Sequence, residues 1–246
     1  MGVACMRGLL GWILLVCSAL VSAQPAPPGE VRLVSEVWPG HTEADGSGLA
    51  WDIMRAVFEP AGLRVVVHSE PYMRSIGLVL RGRADAWIGS YAGEIAEAHY
   101  PQQAYDADPI VALGLASLSA PSRDTIGQRR LIWVRGYDYQ HRLPNVQHFQ
   151  EIRMRTGILQ MLERGYADFY VDALSEVEAV LAESSQAQRY QVVPLLMLPL
   201  YPGFQDSPRG RELAELYDRR LLELRADGSL RALFAKWGQP YRLAMP

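Results

Sequence analysis

Short apolar runs alternate with amphipathic segments along the first half of the chain. The predicted order is strand 31–37, helix 48–60, strand 63–68, helix 73–81 and strand 84–89. In the first helix, Leu49, Ile53 and Val57 recur at a four-residue spacing that places them on one face, and Ser47 is the expected N-cap. This alternation of strands and helices predicts an α/β fold.

The second half of the chain repeats the alternation. The predicted order is strand 131–135, helix 156–164, strand 168–171 and helix 173–183. The pattern Arg-Gly-x-Ala-Asp occurs at 81–85 and again at 164–168, each time between a predicted helix and a predicted strand. Gly82 and Gly165 would supply the left-handed residue that ends a helix. One such turn is common in α/β proteins, but two at equivalent places favour two similarly built lobes.

Two segments, 105–110 and 196–203, are predicted to connect the lobes. After the second, Ser207 and Pro208 supply an N-cap and a first-turn proline for a long helix, and a shorter helix follows it. The apolar stripe of this C-terminal pair must be buried, so we expect the pair to pack on the lobe that contains Trp38. Each lobe is expected to have its own mostly parallel sheet, and one continuous sheet would contradict that expectation.

The N-terminus has the pattern of a secretory signal. Arg7 precedes an uncharged apolar run over 8–21, and a Val-Ser-Ala cleavage site closes the run. We expect residues 1–23 to be removed and the mature chain to be located in the periplasm. A lipid anchor at Cys17 is the alternative, but Val16 is a poor fit to the small residue that precedes such a site.

Charge and cysteine content exclude several classes of function. The signal holds one of the 24 basic residues and none of the 27 acidic ones, so the mature chain has a formal charge of −4, unlike a nucleic-acid-binding protein. Both cysteines lie in the signal, which excludes disulfides, thiolate metal sites and a cysteine nucleophile. His141 and His148 lack a carboxylate partner at metal-ligand spacing. We expect no metal, no cofactor and no integral membrane segment.

The most specific segment is the C-terminal run LLELRADGSLRALFAKWG at 221–238. The supporting segments are GLAWDI at 48–53, LRGRADA at 80–86 and RGYADFYVD at 164–172. Together they resemble the family 3 extracellular solute-binding proteins, the polar-amino-acid class of the type II periplasmic binding protein fold. The resemblance implies one lobe formed by 24–107 and 199–246, an inserted lobe formed by 108–198, and a ligand in the cleft between them.

The ends of the predicted strands supply candidate ligand-binding residues, which are Trp38, Ser90, Tyr91, Arg135, Tyr137 and Asp172. The resemblance implies that Asp172 holds the ammonium group of a ligand, and capping the helix over 173–183 is its alternative role. Trp38 would form an aromatic wall that stacks on a flat or cationic ligand, with core packing as the alternative. Tyr91 and Tyr137 would offer hydroxyl groups.

The usual clamp for an α-carboxylate is missing. The resemblance predicts an arginine shortly after the third strand, but Glu94 lies there, and Tyr137 replaces a small hydroxyl residue of the second lobe. Arg74 or Arg135 would have to substitute, although a surface position or a structural ion pair would account for either. We therefore expect ordinary α-amino acids to bind weakly or not at all, and a cationic or neutral ligand to depend on Asp172.

Three functions fit a two-lobed binding fold. The first is capture of a small polar molecule for the permease of an inner-membrane ABC transporter. The second is ligand sensing, in which the closed form is presented to a membrane receptor. The third is a dehydratase-like enzyme, for which Glu36, Glu94 and Asp172 are the available acids. Because nucleophile-elbow, phosphate-loop and zinc-helix motifs are missing from the sequence, we expect no enzymatic activity and no catalytic residue.

Overall fold

The computed structural model describes residues 29–243. The predicted signal over 1–23 and both cysteines lie outside the described residues. Within 29–243, no helix is both long enough and apolar enough to cross a membrane.

Nine strands and six α-helices are present in the described part of the chain. In chain order they are β1 (Glu30–Ser35), α1 (Leu49–Phe58), β2 (Arg64–Ser69), α2 (Tyr72–Leu80), β3 (Ala86–Tyr91), β4 (Ala98–His99), β5 (Asp106–Leu115), β6 (Arg130–Val134), β7 (His148–Ile152), α3 (Ile158–Glu163), β8 (Phe169–Ala173), α4 (Leu174–Ala182), β9 (Tyr190–Gln205), α5 (Pro208–Ala226) and α6 (Ser229–Lys236).

Hydrogen bonds join the strands in the order β2-β1-β3-β9-β5-β8-β6-β7, and β4 pairs with β9. The parallel strands β1, β2 and β3, with α1, α2, α5 and α6, form what we call the first wing. The parallel strands β6, β7 and β8, with α3 and α4, form the second wing. The antiparallel strands β5 and β9 lie between the wings: β9 pairs with β3, and β5 pairs with β8.

The prediction of two separate sheets is wrong, because the connecting segments are themselves long strands. β5 pairs with β9 along its whole length, so the hydrogen bonding is continuous from one wing to the other. Prolines within 105–110 and 196–203 made these segments look like linkers, since proline cannot donate to a sheet ladder. The predicted lobe boundaries fall inside both strands at paired positions, with Ala107 opposite Pro199 and Asp108 opposite Leu198.

Most predicted elements are present, with two local corrections. The N-cap of α1 is Gly48 and not Ser47, because the chain turns so tightly that a Cβ on Gly48 would lie 2.2 Å from the carbonyl oxygen of His41. The N-cap of α4 is Ala173, so Asp172 does not cap that helix. The strand β7 was not predicted, because it lies at the open edge of the sheet with mostly exposed side chains and a weak hydrophobic pattern.

The two Arg-Gly-x-Ala-Asp segments form the same structure in the two wings. Gly82 and Gly165 both have a φ of +68°, the left-handed conformation predicted for them. The closing aspartate accepts a hydrogen bond from a backbone N–H near the beginning of a neighbouring strand. Asp85 accepts from β1 at 2.7 Å, and Asp168 accepts from β6 at 2.9 Å. In each wing, the aspartate of the repeat therefore connects the turn that follows a helix to a neighbouring strand of the sheet.

The C-terminal helices α5 and α6 pack on α1 in the first wing, which is the predicted arrangement. Ser207 caps α5 by accepting a hydrogen bond from a backbone N–H of the first turn at 3.1 Å. Asp52 on α1 accepts hydrogen bonds from the Lys236 ammonium at 2.7 Å and from the Trp237 indole N–H at 2.8 Å. The apolar stripe of α5 and α6 thus packs on α1, and the hydrogen bonds to Asp52 add polar contacts at its edge.

Candidate functional site

A small cavity lies where the two wings meet. Its volume is about 50 Å³, on the order of a few water molecules. Both wings and the intervening strand β5 contribute to its walls. The aromatic residues of the lining are Trp38, Tyr72, Tyr91, Tyr105 and Tyr137.

The charged side chains of the lining are acidic. The four carboxylates are Glu94, Asp108, Asp172 and Glu176. Among the described residues, no lysine or arginine lines the cavity. The lining also includes His41, whose pKa is lowered by burial and by the charge of Arg242, so its imidazole is neutral near pH 7. Arg155, just outside the lining, pairs with Asp172 and Glu176, so the lining carboxylates without an ion pair among the described residues are Glu94 and Asp108.

A turn after β1 places Trp38 in the wall. The buried Thr42 hydroxyl donates to the carbonyl of Glu36 at 2.7 Å and accepts from the backbone N–H of Trp38 at 3.1 Å. The indole then lies over Gly89, where a Cβ would come within 2.4 Å of the ring and where φ is +87°. This position is an irregularity in the pairing of β3 with β9. Only glycine fits beneath the indole there.

Aromatic rings continue from the first wing to the second. The Tyr72 ring centroid lies 5.9 Å from that of Trp38 and 5.8 Å from that of Tyr137, with the tyrosine pair T-shaped. Tyr139 lies 5.8 Å from Tyr137 and 6.5 Å from Tyr91. The wings are thus in contact through aromatic side chains. Such rings also offer the negative π faces that attract cations.

Neutral donors of the first wing hold Glu94. Its carboxylate accepts hydrogen bonds from the Tyr72 hydroxyl at 2.8 Å, from the Ser90 hydroxyl at 2.8 Å and from the Tyr91 backbone N–H at 3.0 Å. Burial raises the pKa of Glu94, and these donors oppose the rise. The donors at the end of β3, which would otherwise be free to hold a ligand carboxylate, are therefore bonded to the protein's own side chain.

Asp172 is completely buried and forms an ion pair within the second wing. One oxygen accepts from the Ala173 backbone N–H at 2.8 Å, and the other accepts from the Tyr170 hydroxyl and from the Arg155 Nε at 3.0 Å. Burial raises the pKa of the Asp172 carboxyl, and the positive charge of Arg155 is the largest of the effects that oppose the rise. Asp172 already has the cationic partner that the sequence assigned to a ligand.

Arg155 also connects Asp172 to its surroundings in both wings. Its guanidinium lies 2.9 Å from a Glu176 oxygen, donates to the Tyr137 hydroxyl at 2.7 Å, and lies 3.8 Å from Glu36 of the first wing. A second arginine of that region, Arg142, donates to a backbone carbonyl just after β3 at 3.0 Å. Two arginines therefore bridge the gap between the wings.

Asp108 lies on β5 between the wings and has few partners. Among residues 29–243, its hydrogen-bond donor is the Tyr91 hydroxyl at 3.3 Å, and no arginine or lysine forms an ion pair with it. Burial raises the pKa of Asp108 to about 7, and the charge of Asp106 adds to the rise. Asp106 lies on the same face of the strand, 4.0 Å from the Nδ1 of His41, and burial raises its pKa to about 6.

The predicted site residues fall into two groups. Four of them line the cavity together, namely Trp38, Tyr91, Tyr137 and Asp172. Ser90 is buried behind the wall, where its hydroxyl donates to Glu94. Arg74 forms an ion pair with Glu70 at 3.2 Å, and 66 % of its side chain is exposed. Arg135 is exposed as well, and neither arginine belongs to the lining.

Sequence reasoning missed Asp108 and Arg155. The segment of Asp108 was predicted to be a linker, although an Asp-x-Asp spacing puts both carboxylates on one face of a strand, which is a usable signal. Arg155 follows β7, and because that strand was not predicted, nothing marked the residues beyond its carboxyl end as candidates. Tyr72 was also missed, since it lies just before the predicted beginning of α2.

Comparisons with known proteins give a likeness in fold. No family model and no curated protein matches the sequence. A histidine kinase sensor domain with similarity to periplasmic binding proteins matches 85 % of the chain and 95 % of its own, at 15 % identity and a TM-score of 0.69. An ABC uptake transporter substrate-binding protein from Streptococcus pneumoniae, with bound histidine, matches 85 % and 92 %, at 15 % identity and a TM-score of 0.65.

A further solved structure is an ancestral amino-acid-binding protein described as a precursor of cyclohexadienyl dehydratase. It matches 85 % of the chain and 95 % of its own, at 16 % identity and a TM-score of 0.62. The chain therefore has the two-lobed α/β fold of the type II periplasmic binding proteins, as the sequence predicts. The likeness supports the resemblance to the family 3 solute-binding proteins. At these identities it establishes the fold, so the ligand has to be argued from the cavity.

Proposed function

We propose that this chain is a periplasmic solute-binding protein that captures a small cationic or neutral polar molecule between two lobes. The lobes are 24–107 with 199–246, and 108–198. The captured ligand is then delivered to the permease of an inner-membrane ABC transporter. The predicted signal over 1–23 supports export, and the fold supports ligand capture between lobes. Trp38, Tyr91 and Tyr137 supply the aromatic contacts.

The acidity of the cavity carries this proposal. Four carboxylates line it. Arg155 pairs with Asp172 and Glu176, whereas Glu94 and Asp108 have no ion pair within residues 29–243. A ligand carboxylate would lie beside these two acidic groups and would find the donors at the end of β3 already bonded to Glu94. A cation would instead be attracted by the carboxylates and by the ring faces.

Capture by closure is supported by the size and the position of the cavity. A cavity of about 50 Å³ is on the order of a few water molecules, so we infer that the wings separate to admit a larger solute. The hinge is proposed where β5 and β9 pass between the wings, at Asp108 opposite Leu198. Opening would break the Tyr72–Tyr137 ring contact, and a ligand that contacts both wings would favour its return.

Ligand sensing is the second candidate, because a sensor domain shares this fold at a TM-score of 0.69. Closure would then be read by a membrane receptor instead of a permease. Deletion of the gene separates the two functions. Loss of uptake of the radiolabelled ligand supports transport, whereas normal uptake with loss of a transcriptional response supports sensing.

The ligand class is tested by thermal-shift screening of amines, α-amino acids, dicarboxylates and purines, followed by calorimetry. A ligand at about a hundred times its Kd adds roughly 2.7 kcal/mol to stability, and we expect such a shift only from cationic or neutral compounds. The matched variant Glu94→Arg frees the donors of β3 and should gain some affinity for α-amino acids. Micromolar binding of a common α-amino acid to the wild type would overturn the ligand class.

Closure has its own test. Small-angle scattering should give a smaller radius of gyration with a tight ligand than without it. An unchanged radius in the presence of saturating ligand would contradict capture by lobe movement.

A further inference from the structure

We propose that Asp108, on the strand β5 between the wings, is the carboxylate that binds the cationic group of the ligand, whereas Asp172 is a structural partner of Arg155. The inference rests on the proposed function, because it assigns one contact inside the proposed binding cavity. The ligand class is an ammonium or guanidinium compound whose cation fits between a carboxylate and aromatic rings.

Asp172 and Glu176 share a cation that belongs to the protein. The Arg155 Nε lies 3.0 Å from Asp172 and 2.9 Å from Glu176, and both oxygens of Asp172 have hydrogen-bond donors. A ligand cation would have to displace Arg155, whose side chain is only 20 % exposed. Breaking a buried ion pair by removing one partner is costly, so the ligand would gain little at Asp172.

Glu94 is held by three donors of its own wing. Its Oε2 accepts from the Ser90 hydroxyl and the Tyr91 backbone N–H, and the Tyr72 hydroxyl lies 2.8 Å from both oxygens and shares its one proton between them. Three donors use most of the roughly four lone-pair sites of a carboxylate, so a ligand cation would find less free acceptor capacity at Glu94 than at a carboxylate with one donor.

Of the two lining carboxylates that have no ion pair among the described residues, Glu94 and Asp108, the second has fewer hydrogen-bond donors. It has one hydrogen bond, from the Tyr91 hydroxyl, and no ion pair within residues 29–243. Burial raises the pKa of Asp108 to about 7, and the charge of Arg242 opposes only part of the rise, so a ligand cation would add to the compensation. Trp38 and Tyr72 line the same cavity and offer ring faces to the cation.

The position of Asp108 also suits a contact that is coupled to closure. It lies where the crossing strands pass between the wings, opposite Leu198, and one register irregularity follows between Ile110 and Val111. A cation bound to Asp108 would lie at the boundary between the two wings, so the aromatic side chains of both wings can close around it.

Calorimetry with three cationic probes, namely choline, 1,4-diaminobutane and agmatine, tests the assignment. Asp108→Asn keeps the acceptor for Tyr91 but removes the charge, and it should weaken the best probe by about tenfold or more. Asp172→Asn should weaken that probe by less than about threefold while lowering the thermal midpoint. Asp124→Asn, which removes one exposed charge outside the lining, is the matched control and should leave Kd unchanged.

The outcomes separate the two proposals. A tenfold loss in Asp172→Asn with an unchanged Asp108→Asn would overturn this assignment while the cation-binding function stood. Failure of all three probes to bind the wild type at millimolar concentration would overturn the cationic ligand class, and this assignment with it.

A measurement on the wild type covers the case in which Asp108→Asn fails to fold. Binding at pH near 7 should release protons, because the cation drives Asp108 to its charged form, and titration in two buffers of different ionisation enthalpy detects the release. Binding without proton release would contradict the role of Asp108.

Discussion

Glu94 in the first wing and Asp172 in the second are both carboxylates beside the cavity, but the charge of their partners differs. Glu94 accepts hydrogen bonds from two hydroxyls and one backbone N–H, all from its own wing. Asp172 accepts from a guanidinium as well as from a hydroxyl and a backbone N–H. The guanidinium belongs to Arg155, which also lies 3.8 Å from Glu36 across the gap.

The difference shows how each wing depends on its carboxylate. A carboxylate held by several neutral donors keeps most of its partners when one donor is removed. A buried ion pair that loses its cation leaves a charge without compensation, which costs several times more. The second wing therefore depends on a single residue, Arg155, whereas the first wing depends on a shared set of donors.

Replacement of Arg155 by methionine should give the largest loss in the free energy of unfolding. Asp172 and Glu176 lose their common cation, so the free energy of unfolding should fall by about 3–5 kcal/mol. Ser90→Ala removes one neutral donor of Glu94 and should cost only about 1 kcal/mol. Urea unfolding at neutral pH measures both.

Arg155→Lys is the control for charge, and it should recover part of the loss because an ammonium keeps the positive charge without the fork of donors. Equal losses in Arg155→Met and Ser90→Ala would remove the distinction between the wings.

The pH dependence of stability tests a third carboxylate, Asp108, which lies on β5 between the wing of Glu94 and the wing of Asp172. Burial raises the pKa of Asp108 to about 7, the charges of Asp106 and Asp172 add to the rise, and Tyr91 and Arg242 oppose it. A carboxyl with a raised pKa in the folded state stabilises that state at low pH. This contribution is lost as the pH rises from about 4 to about 7, and it amounts to a few kcal/mol at most.

The measurement compares the wild type with Asp108→Asn by urea unfolding at several pH values. The stability of the wild type minus that of the variant should fall across the window. The subtraction cancels His41, whose lowered pKa acts in the opposite direction. A difference that does not change with pH would show that Asp108 is ionised normally in the folded protein.

The smallest effect is expected at the turns where the two wings are alike. Gly82→Ala and Gly165→Ala should each cost about 1 kcal/mol, because an L residue is disfavoured at a φ of +68°. A Cβ at Gly165 meets no atom within 4 Å, and one at Gly82 meets only the end of the Gln205 side chain at 3.3 Å. The two losses should therefore be similar in urea unfolding.

Asparagine tolerates the left-handed conformation better than alanine, so Gly82→Asn and Gly165→Asn should each lose less than the alanine variants. A cost several times larger at one turn than at the other would mean that the repeated motif has different roles in the two wings.

Local sequence signals predicted most of the elements in both wings. Alternating apolar positions and helix-ending glycines need only near neighbours, and the structure follows them in β1–β3, β6 and β8. The crossing strands escaped prediction because their prolines signal a linker locally, and their pairing partners lie in distant parts of the chain. β7 escaped because an edge strand with exposed side chains has no clear alternation.

The candidate site was predictable only as a set of positions. Strand ends nominated Trp38, Tyr91, Tyr137 and Asp172, and all four line the cavity. The partners of those side chains were not predictable. Arg155 is 17 residues from Asp172, and the two meet through the packing of the second wing.

The sequence by itself determined the order of strands and helices, the left-handed turns at Gly82 and Gly165 and the cap at Ser207, because each depends on residues a few positions apart. Only the tertiary structure decided which carboxylates are compensated. Burial and the convergence of distant segments give Asp172 a cation and Glu94 a set of neutral donors, while Asp108 receives one hydroxyl. The protonation state of a buried group depends on the residues that surround it in space, and the adjacent positions in the sequence do not specify those residues.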